Sequence, residues 1–313
     1  MNASIMISAI APVIFIIALG YCAGRNKDFD AHQTKGFSRL ALRYALPVAL
    51  FLGMAQFNKS LLLQQGPVIV IMVLGYSLFF LASYLILRMK KFGKTEAILL
   101  GYTVSSTAAP IYGLTVLVPI YGLQTGSGVV GLAALVTNLV QVSVAVFMLQ
   151  SASMAEGQAA SISTILKDTL KNPLVWAPVL GAVISVSGIT LPDITISTLK
   201  PLAVCAAAVA IFACGLTLSS FPVNLTSKIV IFGSATCIIF QPLLFFVFIK
   251  AWGLKSTMAK ATFVASAMPT STPSVLFAQQ YGKCQAETSS IMLVTTVGMI
   301  VAIPAAVLLS AWL

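Results

Sequence analysis

The sequence predicts an all-α polytopic membrane protein whose spans fall into two halves of opposite orientation, and three observations carry that reading. Of 313 residues, 59% are apolar and 8% charged, against about 45–50% and about 25% in soluble domains, and the mean hydropathy is +1.01. The apolar residues lie in blocks of about 20, the length at which a helix rising 1.5 Å per residue crosses a hydrocarbon core about 30 Å thick. An odd number of blocks precedes the one long polar loop, and an odd number follows it. An outer-membrane barrel is excluded, because it needs alternating ten-residue strands, whereas runs such as residues 67–87 are continuously apolar.

Ten spans are expected, at residues 4–23, 37–56, 67–88, 96–118, 128–150, 173–189, 198–219, 229–249, 258–280 and 286–312. No positive stretch precedes the first and Arg25 and Lys27 follow it, the reverse of a secretory signal peptide, so it is read as a mature span. The second carries Arg39 and Arg43 four residues apart, with Pro47 beyond them. The third is uninterrupted. The fourth holds a hydroxyl-rich stretch ending at Pro110, and the fifth places Thr137, Asn138 and Gln141 on one helical face. The small, polar loop 151–171 then divides the chain into a first repeat, 1–150, and a second, 172–313. Of the remaining spans, the eighth contains Gln241 before Pro242, the ninth repeats the hydroxyl-rich pattern up to Pro273, and the tenth carries Thr295, Thr296 and Gly298.

Charge gives the orientation. The net charge of +11 comes from 18 basic and 7 acidic residues, and the basic ones stand singly or in small groups between apolar blocks. This pattern signals membrane topology and excludes a nucleic-acid surface. Ten of the 18 fall in odd-numbered connections, while the even-numbered ones hold Lys59, Lys200, Lys250, Lys255 and Lys260. Odd connections are therefore expected inside and both termini outside, with 151–171 a cytosolic linker. The three lysines of the eighth connection run against the rule.

Five cysteines at unrelated spacings predict neither disulfides nor zinc, and neither metal nor cofactor is expected. His32 sits among charged residues and is read as solvated. The spans hold hydroxyls without histidine or carboxylate, which disfavours an intramembrane enzyme.

Five spans per half makes the halves inverted. The stretch Thr103-Val-Ser-Ser-Thr-Ala-Ala-Pro110 matches Ser266-Ala-Met-Pro-Thr-Ser-Thr-Pro273 at an offset of 163, and each runs on to Tyr-Gly. Inverted repeats with paired, proline-interrupted spans point to a secondary transporter whose substrate site lies between the breaks near the midplane. Span 4 is expected to open around residues 108–113, at Pro110, Tyr112 and Gly113, because proline lacks an N–H and clashes with the preceding turn. If spans 4 and 9 cross there, two half-helix N-termini aim N–H dipoles at one point, where an anion satisfies both.

Ser105, Ser106 and Thr107, with Thr270, Ser271, Thr272 and Ser274 beside Pro273, add hydroxyl donors for a carboxylate; the competing use of each is to satisfy broken backbone. Asn138 and Gln141 are candidate lining residues, with interhelical bonding as their other use. Arg43 is the deepest charge and either forks onto a substrate carboxylate or snorkels to headgroups. All seven acidic residues lie in loops or at span edges, so neither a carboxylate ion relay nor a cationic substrate is expected.

Several stretches together resemble the auxin efflux carrier family, which includes bacterial malonate and malate permeases and plant auxin exporters. They are Phe37-Ser-Arg-Leu-Ala-Leu-Arg-Tyr-Ala-Leu-Pro47, Lys171-Asn-Pro-Leu-Val-Trp-Ala-Pro178, Gly188-Ile-Thr-Leu-Pro192, Phe212-Ala-Cys-Gly-Leu-Thr217, and residues 265–273 followed by Phe277-Ala-Gln-Gln-Tyr-Gly282. The resemblance implies a sodium/proton-antiporter-like fold with broken crossing helices 4 and 9, a scaffold of spans 1, 2, 6 and 7, elevator-type movement of the rest, and a homodimer. Many relatives carry Asn where this chain has Arg43, and the extra charge there suits a dicarboxylate such as malonate. The expected function is a bacterial inner-membrane carrier of small organic anions, its coupling ion (H+ or Na+) open. Its alternatives are a carrier of a monocarboxylate or auxin-like acid and a membrane sensor that binds such an anion without net transport. The expected partners are that anion and membrane lipids.

Overall fold

The computed structural model describes residues 3–56, 65–154, 173–220 and 224–313. Most of the linker expected at 151–171 lies outside those residues, so neither it nor the proposed repeat boundary is described. Among the described residues the chain is helical and contains no strand.

The first helix is α1 (Ala3–Arg25). Next, α2 (Ala31–Leu40) passes through a π-helical turn, Ala41–Ala45, into α3 (Leu46–Ala55). Asp30 caps α2 by accepting from Gln33 N while Gln33 Oε1 accepts from Asp30 N, a reciprocal box that fixes the helix start. A single long helix, α4 (Gly66–Met89), precedes the pair α5 (Lys94–Ser105) and α6 (Ala109–Tyr121). The first half of the chain closes with α7 (Leu123–Leu135), a second π turn (Val136–Val142) and α8 (Ser143–Met154).

The second half contains α9 (Pro173–Ser187), α10 (Asp193–Ser219), α11 (Lys228–Ala235) with a π turn (Thr236–Phe240) leading into α12 (Gln241–Ala251), the pair α13 (Thr257–Ser266) and α14 (Thr272–Tyr281), and finally α15 (Gln285–Leu309). Among the described residues, seven helical stretches are long and apolar enough to cross a membrane, including 94–121 taken as one. The first and sixth apolar blocks are covered by shorter apolar helices, Ala11–Arg25 and Trp176–Ser187, and the ninth by the broken pair α13–α14. The chain is a polytopic, all-helical membrane protein.

Two of the π turns have a readable cause. Pro47 and Pro242 cannot donate a backbone hydrogen bond, and the residue before each donates five residues back: Leu46 N to Ala41 O and Gln241 N to Thr236 O. The extra residue relieves the proline clash without breaking the span. The remaining π turn, Val136–Val142, contains no proline; it carries Thr137 and Gln141 into the middle of the molecule.

Packing follows two groups. In the first, α1 lies along α10, α9 along α3, and α3 against α10. In the second, α4 packs on α5 and α12, α12 on α13, and α15 on α11 and α14. Between them α7 touches α3, α9, α6 and α13. Apolar side chains such as Phe15, Phe232 and Val301 point outward, as a lipid-facing belt does and a water-facing surface of this size does not. Trp252 and Trp312 are exposed at the ends of their helices, where an indole bridges apolar and wet surroundings.

Candidate functional site

The two broken spans cross at their breaks. In the fourth span α5 ends at Ser105 and α6 begins at Ala109, so the chain opens at residues 106–108. The sequence places the opening at 108–113, and the correction has a simple cause: Pro110 sits in the first turn of α6, where an N–H has no intrahelical acceptor and proline is tolerated. Tyr112 and Gly113 therefore lie within α6. The Tyr112 hydroxyl meets Cys214 Sγ at 3.0 Å, and a side chain at Gly113 would run into Val130. Neither lines the space at the crossing. The ninth span opens at residues 267–271, and Pro273 occupies the second position of α14.

Breaking a helix strands the carbonyls of its last turn, and those of α5 are all accounted for. Tyr102 O accepts from Ser106 N at 2.9 Å. Thr103 O accepts from the Thr270 hydroxyl, and Val104 O from Cys237 Sγ at 3.3 Å. Ser105 O accepts two amide donors, Gln141 Nε2 at 3.0 Å and Gln241 Nε2 at 3.1 Å. At the end of α13, Ala265 O accepts from the Thr107 hydroxyl at 3.1 Å.

These bonds run both ways across the crossing, and their donors are paired by the offset of 163 seen in the sequence, Thr107 with Thr270 and Ala108 with Ser271. Thr107 of one break donates to the end of α13, and Thr270 of the other donates to the end of α5. Likewise Ala108 N donates to Pro269 O at 2.8 Å, while Ser271 N donates to Ser106 Oγ at 3.3 Å. The Ser106 and Thr270 hydroxyls meet between them at 3.0 Å, and Thr270 N donates to Thr295 Oγ1 at 3.3 Å.

Ser105, Ser106, Thr107 and Thr270 thus spend their hydroxyls on backbone or on each other. Ser105 Oγ accepts from Gln141 Nε2 at 3.0 Å, and Ser274 Oγ donates to Ser271 O at 2.7 Å. Thr272, also buried, is the first residue of α14. The break backbone donors that the sequence leaves for an anion are largely tied across the crossing.

What remains free is specific. A cavity of about 40 Å³ lies at the crossing, lined by Thr107, Pro110, Thr137, Ser271 and Pro273, with Leu46 and Tyr102 among its walls. Ser271 is 8% exposed, and its hydroxyl has no hydrogen-bond partner among the described residues. Two further buried oxygens share that condition nearby: Gln141 Oε1, whose amide nitrogen holds Ser105, and the hydroxyl of Tyr76, whose side chain lies beside Thr107. Buried polar atoms rarely stay unpaired, so this is where the fold has kept polar capacity in reserve. Among the described residues no acidic side chain lines the cavity.

Two other candidates stand apart. Arg43 lies in the first π turn, three residues before Leu46, and is exposed; it is absent from the cavity walls. Asn138 lies in the second π turn, but its side chain is outside the described residues. The partners of Ser105 were only half legible. Gln141 stands on the face read as polar, whereas the pairing of Gln241 depends on how its span crosses α5; the only signal was an amide next to Pro242.

A family model described as membrane transport protein matches residues 5–307. The chain is 27% identical over 300 residues, 95% of each chain, to a protein of Escherichia coli (strain K12) described as "Uncharacterized transporter YfdV". Proteins of the same description from Escherichia coli O157:H7 and Shigella flexneri match to the same extent.

Proposed function

The chain belongs to the membrane transport protein family, that of the auxin efflux carriers, and from that premise we propose that it is a secondary transporter of small organic carboxylate anions, malonate being the first of them to test. It is a membrane transporter and not an enzyme. In this reading ten spans form two inverted halves, with both termini outside the inner membrane of a bacterium. The first packing group is the scaffold and the second carries the site by elevator-type movement, in a homodimer.

The observation that carries the reading is the reciprocal, hydrogen-bonded crossing of the two broken spans around a cavity with unspent oxygens. Unwound backbone at membrane depth persists only where protein or a polar cavity satisfies it, and paired half-helices of this kind cradle substrates in alternating-access carriers. With no carboxylate at the crossing, an anion meets no charge of its own sign there.

Counterflow tests it. Labelled malonate should accumulate transiently and saturably in proteoliposomes preloaded with unlabelled malonate. Malate, oxalate, lactate and indole-3-acetate follow in the same vesicles, and a hit with one of them corrects the cargo. Silence across all of them from folded protein would overturn the carrier reading.

Arg43 is left outside this site and assigned to the headgroups, since its side chain is exposed while Leu46, one turn on, faces the cavity. Arg43→Gln is accordingly expected to leave the ratio of dicarboxylate to monocarboxylate uptake unchanged. A loss confined to dicarboxylates would return the guanidinium to the substrate.

A further inference from the structure

The crossing holds room for only a few waters, and a substrate needs a way in. A second cavity of about 430 Å³ lies between α3, α6, α7 and α10. Its walls continue those of the first. On α3, Leu46 lines the crossing, and Ala49 and Gly53, each about a turn further along, line the larger space. On α6, Ile111 lines the crossing and Leu114 the larger space. At 1.5 Å per residue, the seven residues from Leu46 to Gly53 span about 10 Å. Both cavities therefore share two helix faces.

The far end of this cavity is polar. Gln56 follows α3, Gln124 opens α7, and Lys200 stands on α10, two turns from its start. These belong to even-numbered connections, which lie on one side of the membrane. Lys200 is exposed and, among the described residues, is the single charged residue in the cavity wall, with no acidic side chain beside it there; the nearest acid on its own helix is Asp193, seven residues earlier.

We propose that this cavity is the outer vestibule of the carrier and that Lys200 is the residue that draws and holds a carboxylate anion at its mouth before the anion passes to Ser271 at the crossing. The proposal rests on the carboxylate reading and extends it, because it supplies the one cation that the crossing lacks. A flexible ammonium suits capture: it attracts through water over a Debye length, about 8 Å at physiological salt, and releases without breaking a rigid bidentate fork. Capture of this kind raises association and falls with ionic strength.

Lys200→Gln should raise the counterflow KM for malonate about 5- to 20-fold with the maximal rate retained, and the difference should shrink in high salt. Lys200→Arg should keep the low KM. A second readout is independent of rate. Gln124→Cys, in a chain whose exposed Cys22 is replaced by Ser, should react with a membrane-impermeant maleimide added outside, and malonate should slow that reaction. If the parent protein exchanges malonate while Lys200→Gln leaves KM unchanged and malonate gives the new thiol no protection, the vestibule is overturned and the carrier stands. If the parent exchanges no carboxylate, the carrier reading fails and the vestibule with it.

Discussion

Gly215→Val is expected to abolish the folded protein. Gly215 of α10 and Gly20 of α1 meet back to back: a Cβ on Gly215 would lie 3.0 Å from Gly20 Cα and overlap the carbonyl oxygen of Ile17, and one on Gly20 would overlap the carbonyl of Phe212. The obstacles are backbone atoms of the facing helix, which cannot rotate away as a side chain can. Small residues at four-residue spacing, Gly20 with Gly24 and Gly215 with Ser219, bring the two helices together in the way small-xxx-small pairs do in membranes. Overpacking a core costs about 1–3 kcal/mol where side chains can yield, and here the whole α1–α10 pair must separate. Monodisperse protein in detergent, followed by its melting temperature, measures the effect. Gly36→Ala is the control. Nothing lies within 4 Å of a Cβ there, and a helical Gly→Ala change in open space is worth up to about 1 kcal/mol in the favourable direction. A Gly215→Val protein that purifies and melts with the parent would remove the glycine pair from the stability of the fold.

The legibility of this molecule follows from which signals are local. The paired hydroxyl stretches could be read because their periodic apolar surroundings, their prolines and their matching offset all lie within short windows. The sequence places the break a few residues late, because proline reads as a helix breaker in a sequence, whereas Pro110 and Pro273 stand in the first turns of α6 and α14. Partner choice was not legible. Gln241, Cys237 and Thr295 reach the breaks only because helices far apart in sequence cross there. The Gly20 and Gly24 spacing was present in the first span, but its partner lies 195 residues away. Lys200 looked like a topology residue at a span edge, because the sequence does not say that Gln56 and Gln124 stand opposite it.

Ser271→Ala and Thr270→Val are expected to fail in opposite ways, although they are neighbours in one break. The Thr270 hydroxyl bonds the Thr103 carbonyl and meets Ser106 at 3.0 Å, so valine of nearly equal shape removes both bonds and leaves Thr103 O and Ser106 Oγ with longer contacts only, Ser106 Oγ to Thr103 O at 3.5 Å and Ser271 N to Ser106 Oγ at 3.3 Å. Such a loss costs about 1–3 kcal/mol of stability, visible as a lowered melting temperature, while the surviving protein should keep its KM. The Ser271 hydroxyl lies beside the Tyr102 side chain but makes no hydrogen bond of normal geometry among the described residues. Removing a buried, unpaired hydroxyl leaves stability equal or improved, so Ser271→Ala should melt at or above the parent. If that hydroxyl donates to a substrate carboxylate, its loss removes a bond to a charged group worth about 1.5–3 kcal/mol, about a 10- to 100-fold drop in uptake efficiency at 1.4 kcal/mol per tenfold. A stable but transport-deficient Ser271→Ala beside an unstable but kinetically normal Thr270→Val would separate the two jobs of the crossing, holding the broken helices together and holding the cargo. A Ser271→Ala protein that transports like the parent would leave the reciprocal bonds as scaffolding alone and send the search for the substrate to the Tyr76 hydroxyl, an unspent donor beside the breaks.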